Sequence, residues 1–176
     1  MLCRLLPQWL LLLQIVPALV SAQRLERLYD YTTWQDFPTY PSAIEFDRAD
    51  SVLYMGFWPC VINDTFMPGL ARWDGVAWEA VPNTMDSLQC ATHWVRSLAF
   101  HGGSLFASGR VNSFGGLGPA SSGLARYDED GWHICGSPNN EWLKVTVVND
   151  TLWAIGGYSS IDGEIIGPVA RYVAGQ

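Results

Sequence analysis

Lysine is nearly missing from this chain: Lys144 is the only one in 176 residues, and charged side chains make up just 15 %. Ten Lys and Arg stand against 17 Asp and Glu, a formal net charge of −7, and the arginines are scattered. Gripping a nucleic-acid backbone takes a concentrated basic face, so no nucleic-acid partner is expected. Histidine is limited to three, His93, His101 and His133. They share no metal-ligand spacing, and Cys90-Ala91-Thr92-His93 lacks the second pair of ligands that a zinc site needs. Asp162-Gly163-Glu164 offers too few oxygens for calcium and reads as a turn. No metal or cofactor is therefore expected. Gly-x-Ser-x-Gly, a phosphate-binding Gly-rich loop and a His-Glu-x-x-His helix are all missing as well, so no residue is singled out as catalytic. Carboxylates brought together from distant loops leave an enzyme open as the second reading.

Low charge is paired with abundance elsewhere: nine Trp, 13 % aromatics, 17 Gly and 10 Pro. Disordered chains are poor in aromatics and coiled coils are poor in turn residues, so neither class fits, and a β-rich globular chain does. The single long apolar stretch runs from about Trp9 to Val20, behind one positive charge at Arg4 and ahead of the small residues Ser21 and Ala22. Pro7, Gln14 and Pro17 interrupt it, and it is shorter than the ~20 residues of a membrane span. Residues 1–22 are expected to be a secretory signal cleaved before Gln23, which makes the mature protein secreted or cell-surface, with no stable membrane span. Cleavage removes Cys3 and leaves Cys60, Cys90 and Cys135. An odd number permits at most one internal pair, and buried small apolar thiols are the simpler reading. Asn63-Asp64-Thr65 and Asn149-Asp150-Thr151 are formal glycosylation sequons, and the second also has the composition of a tight turn.

The dominant signal is internal repetition. GLARWDGVAW (Gly69 to Trp78), GLARYDEDGW (Gly123 to Trp132) and GPVARY (Gly167 to Tyr172) share an Ala-Arg-aromatic core at intervals of about 50 residues. A second element, Leu53-Tyr54-Met55-Gly56, Leu105-Phe106-Ala107-Ser108-Gly109 and Leu152-Trp153-Ala154-Ile155-Gly156, precedes it each time at a nearly constant distance. Each unit divides into four short strands. In the second, these are Val95 to Phe100, Leu105 to Gly109, Gly123 to Asp128 and Trp132 to Cys135. Four-stranded units at this period predict an all-β architecture of β-propeller-type blades, about three in number, over 43–94, 95–142 and 143–176, with the third incomplete. Trp73 and Trp78 match Tyr127 and Trp132, and Tyr172 begins the pattern again, which predicts blade-to-blade packing. Arg72, Arg126 and Arg171 recur as well. Asp74 and Asp128 lie two residues after the first two of these arginines, so each pair shares a strand face and an ion pair within the blade is expected.

These units resemble kelch-type and galactose-oxidase-like propellers, most closely the exported, largely bacterial propellers whose blades carry an aromatic-x-Gly-Gly strand and then Ala-Arg-Trp-Asp-Gly and Trp. The resemblance spans about Ala43 to Tyr172. It implies a propeller fold and says little of function, since that fold serves many roles. The expected function is a noncatalytic exported scaffold or interaction module, meeting a protein or glycan through the loops Asn112 to Ser122 and Ser159 to Ile166. A carbohydrate-active or oxidase-type propeller enzyme is the alternative, and an inactive piece of a longer propeller is a third. The leader, residues 23–42, alternates aromatic and polar residues. It is expected to add an edge strand to a blade or to present an aromatic contact surface. Closed propellers need at least four blades, so three imply an open arc that is part of a longer ring or self-associates through an open blade face.

Overall fold

The computed structural model describes residues 31–33, 41–58, 60–82, 94–111, 114, 123–140 and 143–173. The chain forms two units, and the first, Met1–Asp30, lies outside the described residues together with the signal segment. The second unit is all-β. Its first strand, β1 (Tyr31–Thr33), belongs to the leader, and β2 (Ala43–Asp47) and β3 (Val52–Gly56) follow. A hairpin of β4 (Cys60–Ile62) and β5 (Thr65–Met67) precedes β6 (Leu70–Trp73) and β7 (Trp78–Ala80). β2, β3, β6 and β7 make one four-stranded antiparallel sheet in the order β2-β3-β6-β7. The next four strands, β8 (Val95–His101), β9 (Ser104–Gly109), β10 (Gly123–Asp128) and β11 (Gly131–Gly136), make a second sheet in chain order. The third sheet has three strands among the described residues, β12 (Leu143–Val148), β13 (Thr151–Gly156) and a last strand, Val169–Arg171. Between β13 and that strand stands a second small hairpin, β14 (Ser160–Ile161) and β15 (Glu164–Ile165), so the last strand is β16.

The local chemistry is legible at the turns. Asn149 and Asp150 between β12 and β13 both have positive φ, 49° and 55°, as do Asn63 and Asp64 between β4 and β5, at 46° and 62°. Two consecutive left-handed residues make the turn whose twist matches paired strands, and Asn and Asp tolerate that conformation better than most residues. Leader strand β1 pairs with β4 and so extends the small hairpin; the sequence alone predicts an edge strand on a blade, and the structure places it on the hairpin instead. The loop expected from Ser159 to Ile166 is largely the β14–β15 hairpin, turned by Asp162 and Gly163.

The three large sheets stack through their first strands. Ser42, just before β2, donates its hydroxyl to Val95 O at the start of β8. Ser97 in β8 donates to Val145 O at 3.0 Å, and Ser108 in β9 donates to Leu143 O at 2.8 Å. Starts therefore lie on starts, and successive sheets run in the same sense. Two apolar layers fill the gaps. Tyr54, Leu70, Val81, Leu105 and Trp132 join the first sheet to the second, while Phe106, Leu124, Leu143, Leu152 and Tyr158 join the second to the third. This is radial stacking of propeller-type blades, and no closed ring forms among the described residues. The outer faces of the stack show what that leaves bare: Ile44 (62 % exposed) and Phe46 on the first sheet, and Val148, Ile155 and Val169 on the third. Among the described residues no helix is long and apolar enough to cross a membrane.

Candidate functional site

The recurring residues fall into one pattern, repeated with differences. In the first sheet the Trp73 and Trp78 rings sit 5.6 Å apart across β6 and β7. In the second, Tyr127 and Trp132 sit 5.0 Å apart across β10 and β11. Trp132 lies in the layer between the first two sheets. It meets Phe114 edge-on at 4.6 Å and donates its indole N–H to Pro82 O at 3.0 Å. Arg126 pairs with Asp128 at 2.9 Å, the contact expected from their spacing. Arg72 does not follow it. Arg72 crosses to Glu79 on β7 at 2.7 Å, while Asp74 accepts the backbone N–H groups of Val76 and Ala77 and closes the turn. A neighbouring strand offered Arg72 a carboxylate, and Asp74 had a stronger local use in the turn.

Arg171 and Tyr172 occupy the equivalent places in the third sheet, but no fourth strand follows them among the described residues. Here an open groove of about 400 Å³ runs between β10 and β11 on one side and β16 on the other. Its floor and walls include Leu124, Arg126, His133, Cys135, Ile166 and Tyr172. Tyr172 is held by the edge of Phe106, with ring centroids 5.0 Å apart. Its hydroxyl lies 4.0 Å from the Cys135 sulfur. Burial raises the Cys135 thiol above its ordinary range, and burial, with Cys135 alongside, does the same to the Tyr172 phenol. A thiol held protonated is a poor nucleophile, so Cys135 serves the groove as an apolar wall. On the rim, Asp128 accepts a hydrogen bond from the His133 ring at 3.0 Å. Burial works to raise the Asp128 carboxyl, but His133 and the Asp130 N–H outweigh it and hold it below the usual carboxylate range. The groove thus combines an apolar floor with a rim carrying Arg126, Arg171 and the His133–Asp128 pair.

No family model and no curated protein matches this chain. Its chemistry has to be read from its own residues. Among the described residues, no group of three or more His, Cys, Asp or Glu side chains converges to hold a metal ion. Cys60 and Cys135 are free thiols, and Cys90, His93 and most of the loop from Asn112 to Ser122 lie outside the described residues. The groove is not legible in the sequence because it lies beside the outer edge of β16, where no further strand is found among the described residues.

Proposed function

We propose that this protein is a noncatalytic exported scaffold, related to kelch-like or galactose-oxidase-like propellers, that recognises a protein or glycan at one end of its stacked blades. One observation carries the reading. The connection from second to third strand is enlarged in every sheet: by β4–β5 in the first, by residues 110–122 in the second and by β14–β15 in the third. Because the sheets run in the same sense, all three enlargements leave from one end. Inserted segments clustered on a rigid β framework are where such folds carry recognition. Export is supported by the apolar, singly charged N-terminal segment with its small-residue cleavage site, and the family likeness by the repeated Ala-Arg-aromatic units.

The test is a glycan array and a binding panel run with the secreted chain beside a variant in which residues 160–165 are replaced by a two-residue turn. Binding lost in the variant with its thermal midpoint kept supports the reading. Turnover of an oligosaccharide or alcohol, abolished by one Asp or Glu substitution, would replace it with the enzyme reading.

A further inference from the structure

We infer that Asn149, on the tip of the β12–β13 turn, is an acceptor for an N-linked glycan. Asn149-Asp150-Thr151 has the acceptor signature, an asparagine followed two places on by a hydroxyl residue with no proline between them. Three residues match such a signature easily, and what separates this one is the state of its amide. Asn149 and Asp150 have positive φ, 49° and 55°, and both are exposed. Asn tolerates that conformation, but the turn does not need its side chain. The equivalent turn in the second sheet, between β8 and β9, is Gly102-Gly103, with φ 57° and 78°. It closes with no side chain at all. The other side chains of this kind have local work: Asn139 bonds to Ser159 and Ser160, Asn140 donates to Gly157 O, and Asp47, Asp74 and Asp128 each accept a backbone N–H in their turns. Among the described residues no hydrogen bond reaches the Asn149 carboxamide. Only its backbone oxygen is engaged, accepting from Thr151 Oγ1 at 3.4 Å.

The inference rests on the export reading, because such acceptors are used in secreted chains. The donor is an oligosaccharide carried on a lipid pyrophosphate. The Asn149 amide nitrogen bonds to the anomeric carbon, and the bond from that carbon to the phosphate oxygen breaks. The lipid pyrophosphate leaves with the electron pair, and one amide proton passes to a base. A bulky polar group is tolerated here: Val148, just before the turn, is 52 % exposed and the Asp150 side chain just after Asn149 is 98 % exposed. The turn from first to second strand lies at the opposite end of a sheet from the connection between second and third strands. A glycan on Asn149 therefore stands away from the three enlarged connections and leaves that end open to a partner. Asn63-Asp64-Thr65 repeats the signature on the β4–β5 turn, within those connections, so it is removed in the test to leave Asn149 alone.

The experiment secretes the Asn63→Gln chain from a eukaryotic cell line behind a well-characterised signal sequence that replaces residues 1–22, so its outcome does not depend on the native leader. One added glycan is expected. An amidase that releases N-linked glycans should remove it and, in heavy-oxygen water, leave a labelled aspartate at position 149 in the peptide mass spectrum. Asn149→Gln and Thr151→Ala should each abolish the modification, and Thr151→Ser should retain it. Thr151→Ala keeps Asn149 and its turn, so loss of the glycan with the thermal midpoint unchanged reads the signature rather than the fold. The protein secreted by its native cells should carry the glycan on the same residue. The inference is overturned if the folded, secreted chain from either source holds an unmodified Asn149, or if Thr151→Ala is still glycosylated there. Retention in the cell behind residues 1–22, with Asn149 modified behind the substitute signal, would overturn the export reading and support the acceptor site.

Discussion

Cys60 shows at a single residue how burial decides chemistry. It is 3 % exposed in β4, and burial pushes its thiol up to about 12 from an ordinary value of about 9. Between those two values the unfolded chain gives up the proton while the folded chain keeps it, so the folded state binds more protons and stability falls as pH rises through that window. Urea midpoints should decline more steeply above pH 9 in the parent than in Cys60→Val, a near-isosteric change that removes the titration. Equal slopes would show that Cys60 is solvated. The burial of this thiol follows from sequence only in kind: a free cysteine behaves as a small apolar residue, but its register against Met67 is set by the β4–β5 hairpin.

At the level of the strand, the most constrained point is the junction where β9 ends beside the start of β8. Gly109 has φ +137°, and a Cβ there would overlap the carbonyl oxygen of Trp94 and crowd the Arg96 nitrogen. The strand register shifts at this place, between Val95 and Ser97. Gly109→Ala should therefore cost at least about 2 kcal/mol, read from chemical denaturation, whereas the same change at Gly131, with open space around its Cβ position, should cost less. Long strands were readable beforehand because alternation and turn residues agree: Leu143 to Val148 alternates up to Asn149-Asp150, and the structure turns there. The strands that sequence missed are those too short to alternate. Cys60–Ile62 has three residues and Ser160–Ile161 has two, so their hairpins read as loops, although Asn63-Asp64 and Asp162-Gly163 carried the turn signal.

For the molecule as a whole, the all-β class and the order of the three large sheets among the described residues were legible in the sequence, since two recurring elements at nearly constant spacing leave little freedom. It did not locate the groove, because that depends on how the second and third sheets stack, which spacing within a unit does not encode. The bare faces at the two ends of the stack carry a solution consequence. Trp153 stands at the place of Tyr54 and Phe106, which in the first two sheets meet the following sheet. On the third sheet Ile155 (45 % exposed) and Val169 (52 % exposed) share that face with it. Exposed apolar surface of this kind promotes association. Sedimentation velocity should show a concentration-dependent rise in mass for the parent, reduced in Ile155→Lys, and a concentration-independent monomer would count against it.

The serine contacts between first strands have one more effect, on the order in which the structure comes apart. Ser42 ties the first sheet to the second, and Ser97 and Ser108 tie the second to the third. Among the described residues each sheet is thus coupled to its neighbour in the row, the arrangement of a one-dimensional chain of units. In such a row the middle sheet, held on both sides, is expected to be the last to open. The groove beside β16 lies where the second and third sheets meet, so it sits on one of the two boundaries at which such a row can part.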